Sequence, residues 1–342
     1  MLLVSSPRFG DHETPDGHPE QPARAQVMSE VSRRWAESGG AVAVPRRARR
    51  EELVRVHDAD HVDKVASTAG QRLRLDADTY TSAESYDIAL DAAGAALMAV
   101  EHTLETGAPA MALVRPPGHH AEAGRAMGFC LFNNIAVAAA AARAAGCDRV
   151  AVIDYDVHHG NGTQWMFYED PSVLYVSVHQ FPFYPGTGDA TETGRAAGVG
   201  ATLNVPLEAG AGDADYDRAM RVLVAPLVRA FNPDVILLSA GYDAHERDPL
   251  GGMLVSTAGF RSLTAQVQQL ATTCCAGRLA VVTEGGYDLA ALGDGLDATV
   301  RQLADASPVP ETALGGDTSR IDRVLPAVQR AVAPSWPGVY PQ

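Results

Sequence analysis

RVAVIDYDVHHGNG, residues 149–162, joins an apolar run to two aspartates, two adjacent histidines and three small turn residues. The four apolar residues 150–153 are typical of a strand that is buried on both faces. Ionisable groups at the end of such a strand cost free energy unless they pair with one another or bind an ion. The stretch therefore predicts either a hydrogen-bonded core network or a metal site at the end of a buried strand.

Similar apolar runs recur along the chain and alternate with longer segments of helical periodicity. Runs of strand length lie at 2–5, 41–44, 110–114, 149–153, 173–178, 235–240 and 279–284. Helical spacing extends over 85–107, 135–146, 215–231 and 256–277, and Pro226 is expected to kink or split the third of these helices. Apolar strands that alternate with helices indicate an α/β fold, with a mostly parallel central sheet and helices on both faces.

Composition restricts the class of protein. The 342 residues suit one compact domain with a large core, and 27 basic against 42 acidic residues leave a net charge of −15, which disfavours nucleic-acid partners. The four cysteines have no CxxC spacing, so neither a disulfide framework nor a thiolate metal cage is indicated. No apolar run has the length of a signal peptide or a membrane span. We therefore expect a cytoplasmic protein with no membrane partner.

Polar clusters follow four of the predicted strands. They are RPPGHHAE (115–122), DYDVHHGNG (154–162), GYDAHERDPLGG (241–252) and GGYD (285–288). Open α/β sheets bind ligands beyond the carboxyl ends of their strands. We therefore expect these four distant segments to meet in one crevice.

The second cluster contains a pattern that suits a metal ion. Asp154, Asp156 and His158 share one face of an extended segment, since residues two apart point the same way. A catalytic zinc takes three protein ligands of this kind and keeps one position open. Asp243 completes a set with Asp156 and His158. The D-x-H pattern alone is also typical of a core network, and the other clusters favour the metal.

The other clusters supply groups that transfer protons. His119 and His120 are adjacent, and each needs a partner to orient its second ring nitrogen; Asp154 and Asn161 are both candidates. Tyr287 follows two glycines, and its hydroxyl is a candidate donor to an oxyanion. A Gly-x-Ser-x-Gly nucleophile motif is missing from the sequence, which favours metal-assisted chemistry over a serine nucleophile.

Taken together, these motifs resemble the histone deacetylase family, zinc-dependent enzymes with an arginase-like α/β fold, and especially its class II and bacterial amidohydrolase members. The matching segments are HPEQPAR (18–24), RVHDADHVDKV (55–65), RPPGHHAE (115–122), GFCLFNN (128–134), DYDVHHGNGTQ (154–164), FYPGTGD (183–189), DADY (213–216), SAGYDAHERDPLGG (239–252) and EGGYD (284–288). The resemblance covers roughly residues 1–305 of a single deacetylase domain spanning 1–342, and leaves 306–342 as a C-terminal tail.

The resemblance implies a role for each matching residue. Zinc would be bound by Asp156, His158 and Asp243. His120 would be the general base and later the general acid, His119 would assist it electrostatically, and Tyr287 would stabilise the oxyanion. Asp154 would lie beside His119, and Asn161 would lie near His120, as in class II. Gly128, Phe129 and Tyr184 would form the walls of a substrate tunnel, with Leu250 at its rim. A potassium site would be formed by the backbone around Asp154, Asp156 and His158 together with Ser177.

The substrate implied by the resemblance is acetyl-lysine in proteins or peptides, or a related small acylated amine. The family's polyamine-selective animal member has a glutamate where this chain has Leu250. The chain also lacks the long insertion between Tyr80 and Arg115 by which bacterial acetylpolyamine enzymes dimerise. The net charge of −15 favours polycations instead, so an acetylpolyamine amidohydrolase stays an alternative, as does an acyl-lysine-binding relic without activity.

Three further points concern the class of the protein, its other histidines and its assembly. An arginase-like enzyme would need a second D-x-D pattern for its two-metal site, and DYDVHHGNG has none. His159, His179 and His245 have no catalytic counterpart in the family and are expected to be packed structural residues. The sequence leaves the oligomeric state open.

Overall fold

A computed structural model describes residues 1–305 and 314–340 of the chain. The strands are β1 (Leu2–Ser5), β2 (Ala41–Ala43), β3 (Leu73–Arg74), β4 (Tyr80–Thr81), β5 (Ala110–Leu113), β6 (Val150–Asp154), β7 (Val173–Gln180), β8 (Thr202–Leu207), β9 (Val235–Ala240) and β10 (Leu279–Thr283). The helices are α1 (Ala23–Glu37), α2 (Arg50–Leu53), α3 (Ala59–Ala66), α4 (Ser85–Thr106), α5 (Asn134–Ala144), α6 (Asn161–Phe167), α7 (Asp213–Ala219), α8 (Ala225–Phe231), α9 (Thr257–Cys275), α10 (Leu289–Asp305) and α11 (Ser319–Val332).

Eight of the strands form one parallel sheet in the order β2-β1-β5-β10-β9-β6-β7-β8, while β3 and β4 pair as a small antiparallel ladder. The predicted parallel α/β fold is confirmed. All eight carboxyl ends lie at the same edge of the sheet, because the strands are parallel. The polar clusters that follow β5, β6, β9 and β10 therefore lie on one side of the molecule.

Helices cover both faces of the sheet. Successive strand residues alternate between two cores: Leu3 and Ile153 belong to the core that includes α1 and α7 to α11, whereas Val4 and Val152 belong to the core that includes α4 and α5. Alternate side chains of a central strand point into two different cores, and both cores are apolar. The central strands therefore appear in the sequence as continuous apolar runs.

The two edge strands differ from the sequence prediction. The run 41–44 is not buried on both faces: Val42 and Val44 are 40% and 73% exposed, because β2 has only one neighbouring strand. The opposite edge, β8, was missed because TLNVPL contains an asparagine and Pro206. A proline lacks the backbone N–H that an inner strand needs, and an edge strand tolerates it.

Proline and cap residues account for the bounds of two of the predicted helices. The predicted helix 215–231 is split into α7, a π-helical segment Met220–Val224 and α8, with Pro226 in the first turn of α8, where its missing N–H costs nothing. Ser256 caps α9 by accepting a hydrogen bond from the Gly259 N–H. The left-handed residue that ends α9 is Ala276, one position before Gly277.

The C-terminal segment that was expected to be a tail contains the packed helix α11. Ile321, Val328 and Val332 of this helix are buried in the same core as α7 to α10. Residues 306–313 and 341–342, which also belong to the expected tail, lie outside the described residues. Among the helices of the described ranges, none combines the length and the apolar character needed to cross a membrane.

Candidate active site

The four motif strands are consecutive neighbours in the middle of the sheet, in the order β5-β10-β9-β6. Their loops therefore converge at the carboxyl edge, as expected for a ligand site in an open α/β sheet. Of the predicted zinc ligands and catalytic residues, Asp154 is the last residue of β6, Asn161 begins α6, and the others lie in these loops.

Asp156, His158 and Asp243 form a buried cluster whose potential ligand atoms all lie within 4.8 Å of one another. The Nδ1 atom of His158 is 3.2 Å from Asp156 Oδ1 and 3.2 Å from Asp243 Oδ2. The Gly285 N–H donates to Asp156 Oδ2 at 2.9 Å, and the Val157 N–H donates to Asp243 Oδ1 at 2.9 Å. The backbone thus fixes both carboxylates while leaving the His158 ring between them.

The electrostatics of this cluster fit a divalent cation. Burial and the negative charge of Asp156 raise the pKa of Asp243 to about 7. Burial also opposes ionisation of Asp156, but His119 and His158 hold the pKa of its carboxyl well below the usual range. Two buried carboxylates beside each other repel, and a bound metal ion relieves that repulsion. An Asp–His–Asp set also has the donor types and number of a catalytic zinc site.

Asp154 belongs to a different part of the site, although it shares a face with Asp156 in the sequence. Its Oδ2 atom lies 3.0 Å from His119 Nδ1 and accepts a hydrogen bond from the Tyr175 hydroxyl at 3.1 Å. Its Oδ1 atom accepts the Asp156 N–H at 3.1 Å. Asp154 therefore orients His119 instead of completing the metal ligand set.

His119 and His120 lie with ring centroids 4.0 Å apart and have different partners. His120 Nδ1 is 2.8 Å from Asn161 Oδ1, so each of the two candidate partners serves one histidine. Burial lowers the pKa of His119, but the charges of Asp156 and Asp154 outweigh it and raise the pKa to about 10. Burial and the neighbouring imidazoles His119 and His158 hold the pKa of His120 well below its ordinary value. The pair thus consists of a charged imidazole beside a neutral one.

Tyr287 is held through its backbone and ring. Its N–H donates to Asp248 Oδ2 at 2.6 Å, and the guanidinium carbon of Arg24 lies 5.1 Å from the centre of its ring. Arg24 also donates to the carbonyl oxygens of Gly286 and Glu284 at 2.7 and 2.6 Å. Gly286 has φ of 122°, a conformation that a side chain would strain.

Aromatic side chains surround the cluster. Phe129 contacts Tyr287 edge to face at a centroid distance of 5.8 Å, and Tyr184 contacts His120 in the same way at 5.1 Å. Gly128 has φ of 55°, and a Cβ there would lie 2.5 Å from the His120 ring, so a glycine is needed. Leu250 is half-buried, and its N–H donates to Asp248 Oδ1 at 2.9 Å.

Ser177, His159, His179 and His245 have hydrogen-bond partners outside the cluster. Ser177 is in register with Asp154 on the neighbouring strand, and its hydroxyl lies 2.9 Å from His179 Nδ1. His159 is hydrogen-bonded to Thr187 and Gln164, and His245 Nε2 lies 3.2 Å from the Thr257 hydroxyl. These histidines make packing and hydrogen-bond contacts, and potassium binding at Ser177 stays a prediction.

Several residues that shape the site were missed by the sequence reasoning. Glu284 accepts hydrogen bonds from the Gly118 N–H at 2.7 Å, the His119 N–H at 3.1 Å and the Ser239 hydroxyl at 2.9 Å. The others are Arg24, Glu122, Phe183, which stacks on His158 at 5.3 Å, and Asp248. All five lie inside quoted motifs, but sequence spacing alone does not identify their partners.

Comparison with known proteins identifies the family of the chain. The histone deacetylase domain family matches residues 18–303. Histone deacetylase 15 of Arabidopsis thaliana is 41% identical over 303 residues, covering 86% of this chain and 54% of that protein. A probable deacetylase of Methanothermobacter thermautotrophicus is 39% identical over 331 residues, covering 94% of this chain and 96% of that protein.

A solved structure extends the likeness to three dimensions. The crystal structure of the HDA15 HD domain matches with a TM-score of 0.90 at 35% identity, covering 99% of this chain and 95% of that chain. The fold and the relatives together match the deacetylase class of proteins. The chain belongs to the histone deacetylase family, and it spans about half the length of the Arabidopsis relative.

Proposed function

We propose that the protein is a zinc-dependent deacetylase that hydrolyses acetyl-lysine in peptides or a related small acylated amine. The observation that carries the proposal is the convergence of Asp156, His158 and Asp243 beside the two unlike histidines. Zinc held by the three ligands would polarise an amide carbonyl and lower the pKa of a water molecule.

The side chains around the ligand set have complementary proton-transfer roles. His120 Nε2 accepts a proton from the attacking water, since its Nδ1 is engaged by Asn161. The Tyr287 hydroxyl donates a hydrogen bond to the carbonyl oxygen as negative charge develops on it. His120 then delivers the proton to the departing amine, while His119 keeps a positive charge beside the reaction.

The walls of the site support a linear, mostly apolar substrate stem. Phe129 and Tyr184 supply flat apolar faces, and Leu250 adds no charge at the rim. One observation favours the alternative acetylpolyamine substrate: burial and the nearby charges of Asp78 and Asp76, among others, raise the pKa of the Tyr184 hydroxyl. The acidic loop LDADT (75–79), whose Thr79 hydroxyl accepts the Phe129 N–H at 3.0 Å, therefore lies close enough to the site to attract a cationic substrate.

Metal binding provides the first test. Metal-free protein titrated with Zn²⁺ is expected to bind one ion per chain, measured by calorimetry and elemental analysis, and Asp243→Ala is expected to lose that binding. Glu169→Ala, which removes an exposed carboxylate that pairs with Arg195 and not with the ligand set, is the matched control. Unchanged zinc affinity in Asp243→Ala would exclude the assigned ligands.

Turnover then identifies the substrate class. With zinc-loaded protein, acetyl-lysine peptides are expected to exceed acetylspermidine in kcat/KM, and Leu250→Glu is expected to narrow the gap by attracting the charged amine. A preference for acetylspermidine of about tenfold, which corresponds to about 1.4 kcal/mol, would favour the polyamine alternative. Tight binding of acetyl-lysine peptides without turnover would favour a binding relic.

A further inference from the structure

Glu122 directly follows the HHA segment and has no part in the chemistry described above. Its Oε1 atom accepts a hydrogen bond from Asn161 Nδ2 at 2.8 Å and another from Arg125 at 3.1 Å. The backbone N–H of Glu122 donates to the Arg125 carbonyl at 2.9 Å, which fixes the turn. The Glu122 side chain is 27% exposed, whereas Asn161 is buried. Glu122 thus connects the surface with the amide beside His120.

The two contacts of Asn161 determine which way its amide points. An asparagine amide has an acceptor on one side and two donors on the other, and half a turn of the group exchanges them. A carboxylate only accepts, so the amide nitrogen must face Glu122 and the amide oxygen must face His120. In the reversed orientation, two oxygens would meet across the Glu122 contact and repel each other.

This orientation in turn selects a tautomer of His120. A neutral imidazole has one N–H, and the Asn161 oxygen accepts without donating. The proton therefore lies on Nδ1, at the 2.8 Å contact with Asn161 Oδ1, and Nε2 keeps its lone pair. With the amide reversed, Nδ1 would have to accept and Nε2 would be protonated.

We propose that Glu122 is a positioning residue that selects the orientation of the Asn161 amide and, through it, the Nδ1–H tautomer of His120. The other acceptors near Asn161 Nδ2 are more distant: the His120 carbonyl at 3.5 Å and Met127 Sδ at 3.4 Å. A charge-assisted bond to Glu122 is the strongest of the three. Its consequence for catalysis rests on the proposed role of His120 as general base, whereas the tautomer itself does not.

The kinetic test uses zinc-loaded protein. Glu122→Ala is expected to lower kcat about tenfold with KM nearly unchanged, in the range found when an outer partner of a site residue is removed. Glu122→Gln should restore most of the rate, because its amide oxygen still accepts from Asn161. In an Asn161→Asp background, Glu122→Ala should lower kcat no further. The two oxygens of the introduced carboxylate are equivalent, so no partner is needed to select its orientation. Glu169→Ala controls for loss of a surface carboxylate.

A spectroscopic test is independent of activity. The protein is labelled with ¹⁵N-histidine, and the His120 signals are assigned by their disappearance in His120→Ala. The ¹⁵N chemical shifts of the ring then report which nitrogen carries the proton. The wild type and Glu122→Gln are expected to show the Nδ1–H form, and Glu122→Ala a mixture. The proposal would be overturned if Glu122→Ala kept the wild-type tautomer, or if Glu122→Gln lowered kcat as much as Glu122→Ala. If no substrate is turned over, the proposed function fails while this measurement still decides the role of Glu122.

Discussion

Tyr287 is anchored by groups other than its own hydroxyl. Asp248 holds its backbone, and Arg24 lies against its ring, so removal of the hydroxyl leaves the support of the residue intact. Tyr287→Phe is therefore expected to fold normally and to lower kcat by roughly 10²-fold or more, as for loss of one oxyanion donor. Single-turnover kinetics with the best substrate and a thermal melt check this. Near-normal turnover would show that Tyr287 does not stabilise the transition state.

His119 and His120 are adjacent in sequence but differ in charge because their partners differ. The carboxylate of Asp154 favours the cationic form of His119, whereas the Asn161 amide adds no charge beside His120. We expect His120→Ala to reduce kcat more than His119→Ala, since in the proposed mechanism only His120 transfers the proton. The pH–rate profiles of the two variants should differ in shape. Identical profiles and equal losses would contradict separate roles.

At the scale of elements, helix α11 closes the core beside the edge strand β8. Ile321 is fully buried there, and its N–H donates to Asp215 Oδ1 at 3.0 Å. Ile321→Ala is expected to lower the free energy of unfolding by about 2–4 kcal/mol, because it leaves a cavity. Denaturant unfolding measures this, with Arg330→Ala on the exposed face of α11 as the control. Equal stability of the two variants would mean that α11 is not part of the cooperative core.

For the whole molecule, buried neutral histidines predict sensitivity to acid. Burial, with a smaller effect of His61, lowers the pKa of His57 from 6.5 to about 3, and burial lowers the pKa of His12 and His179 to about 4. The unfolded chain therefore binds more protons than the folded chain in this window. The contribution of these three histidines to the free energy of unfolding is therefore complete above about pH 6.5. It falls as the pH drops toward their pKa values in the folded protein.

His57 allows this effect to be measured for one residue. It accepts the Asn133 N–H at Nε2, 2.9 Å away, and donates from Nδ1 to the Glu122 carbonyl at 3.1 Å, so a second proton would break the first bond. Between about pH 6.5 and 5, His57 is protonated in the unfolded chain but stays neutral in the folded chain. This difference is expected to lower the free energy of unfolding by roughly 2 kcal/mol, at about 1.4 kcal/mol per pKa unit. His57→Gln should lose less stability than the wild type over that window. The same pH dependence in both proteins would contradict this account.

The sequence by itself determined the fold class and the composition of the site. Apolar runs that alternate with helical segments are a local signal, because each central strand is buried on both faces whatever its neighbours are. The candidate metal ligands and the tandem histidines were identifiable because ionisable side chains directly follow such runs. Residues such as Asp156 and His158 lie close in sequence, so the chain alone brings them together.

Only the tertiary structure decided the strand order and the partners of buried polar groups such as Glu284 and Arg24. It placed β5, β10, β9 and β6 side by side, set Glu284 against the Gly118 and His119 N–H groups, and left the run at 41–44 on an exposed edge. Arg24 reaches the loop before Tyr287 across more than 250 positions of the chain. A buried charge must have a partner, but the free energy of pairing depends on distance in space, and sequence periodicity carries no information about contacts between distant segments.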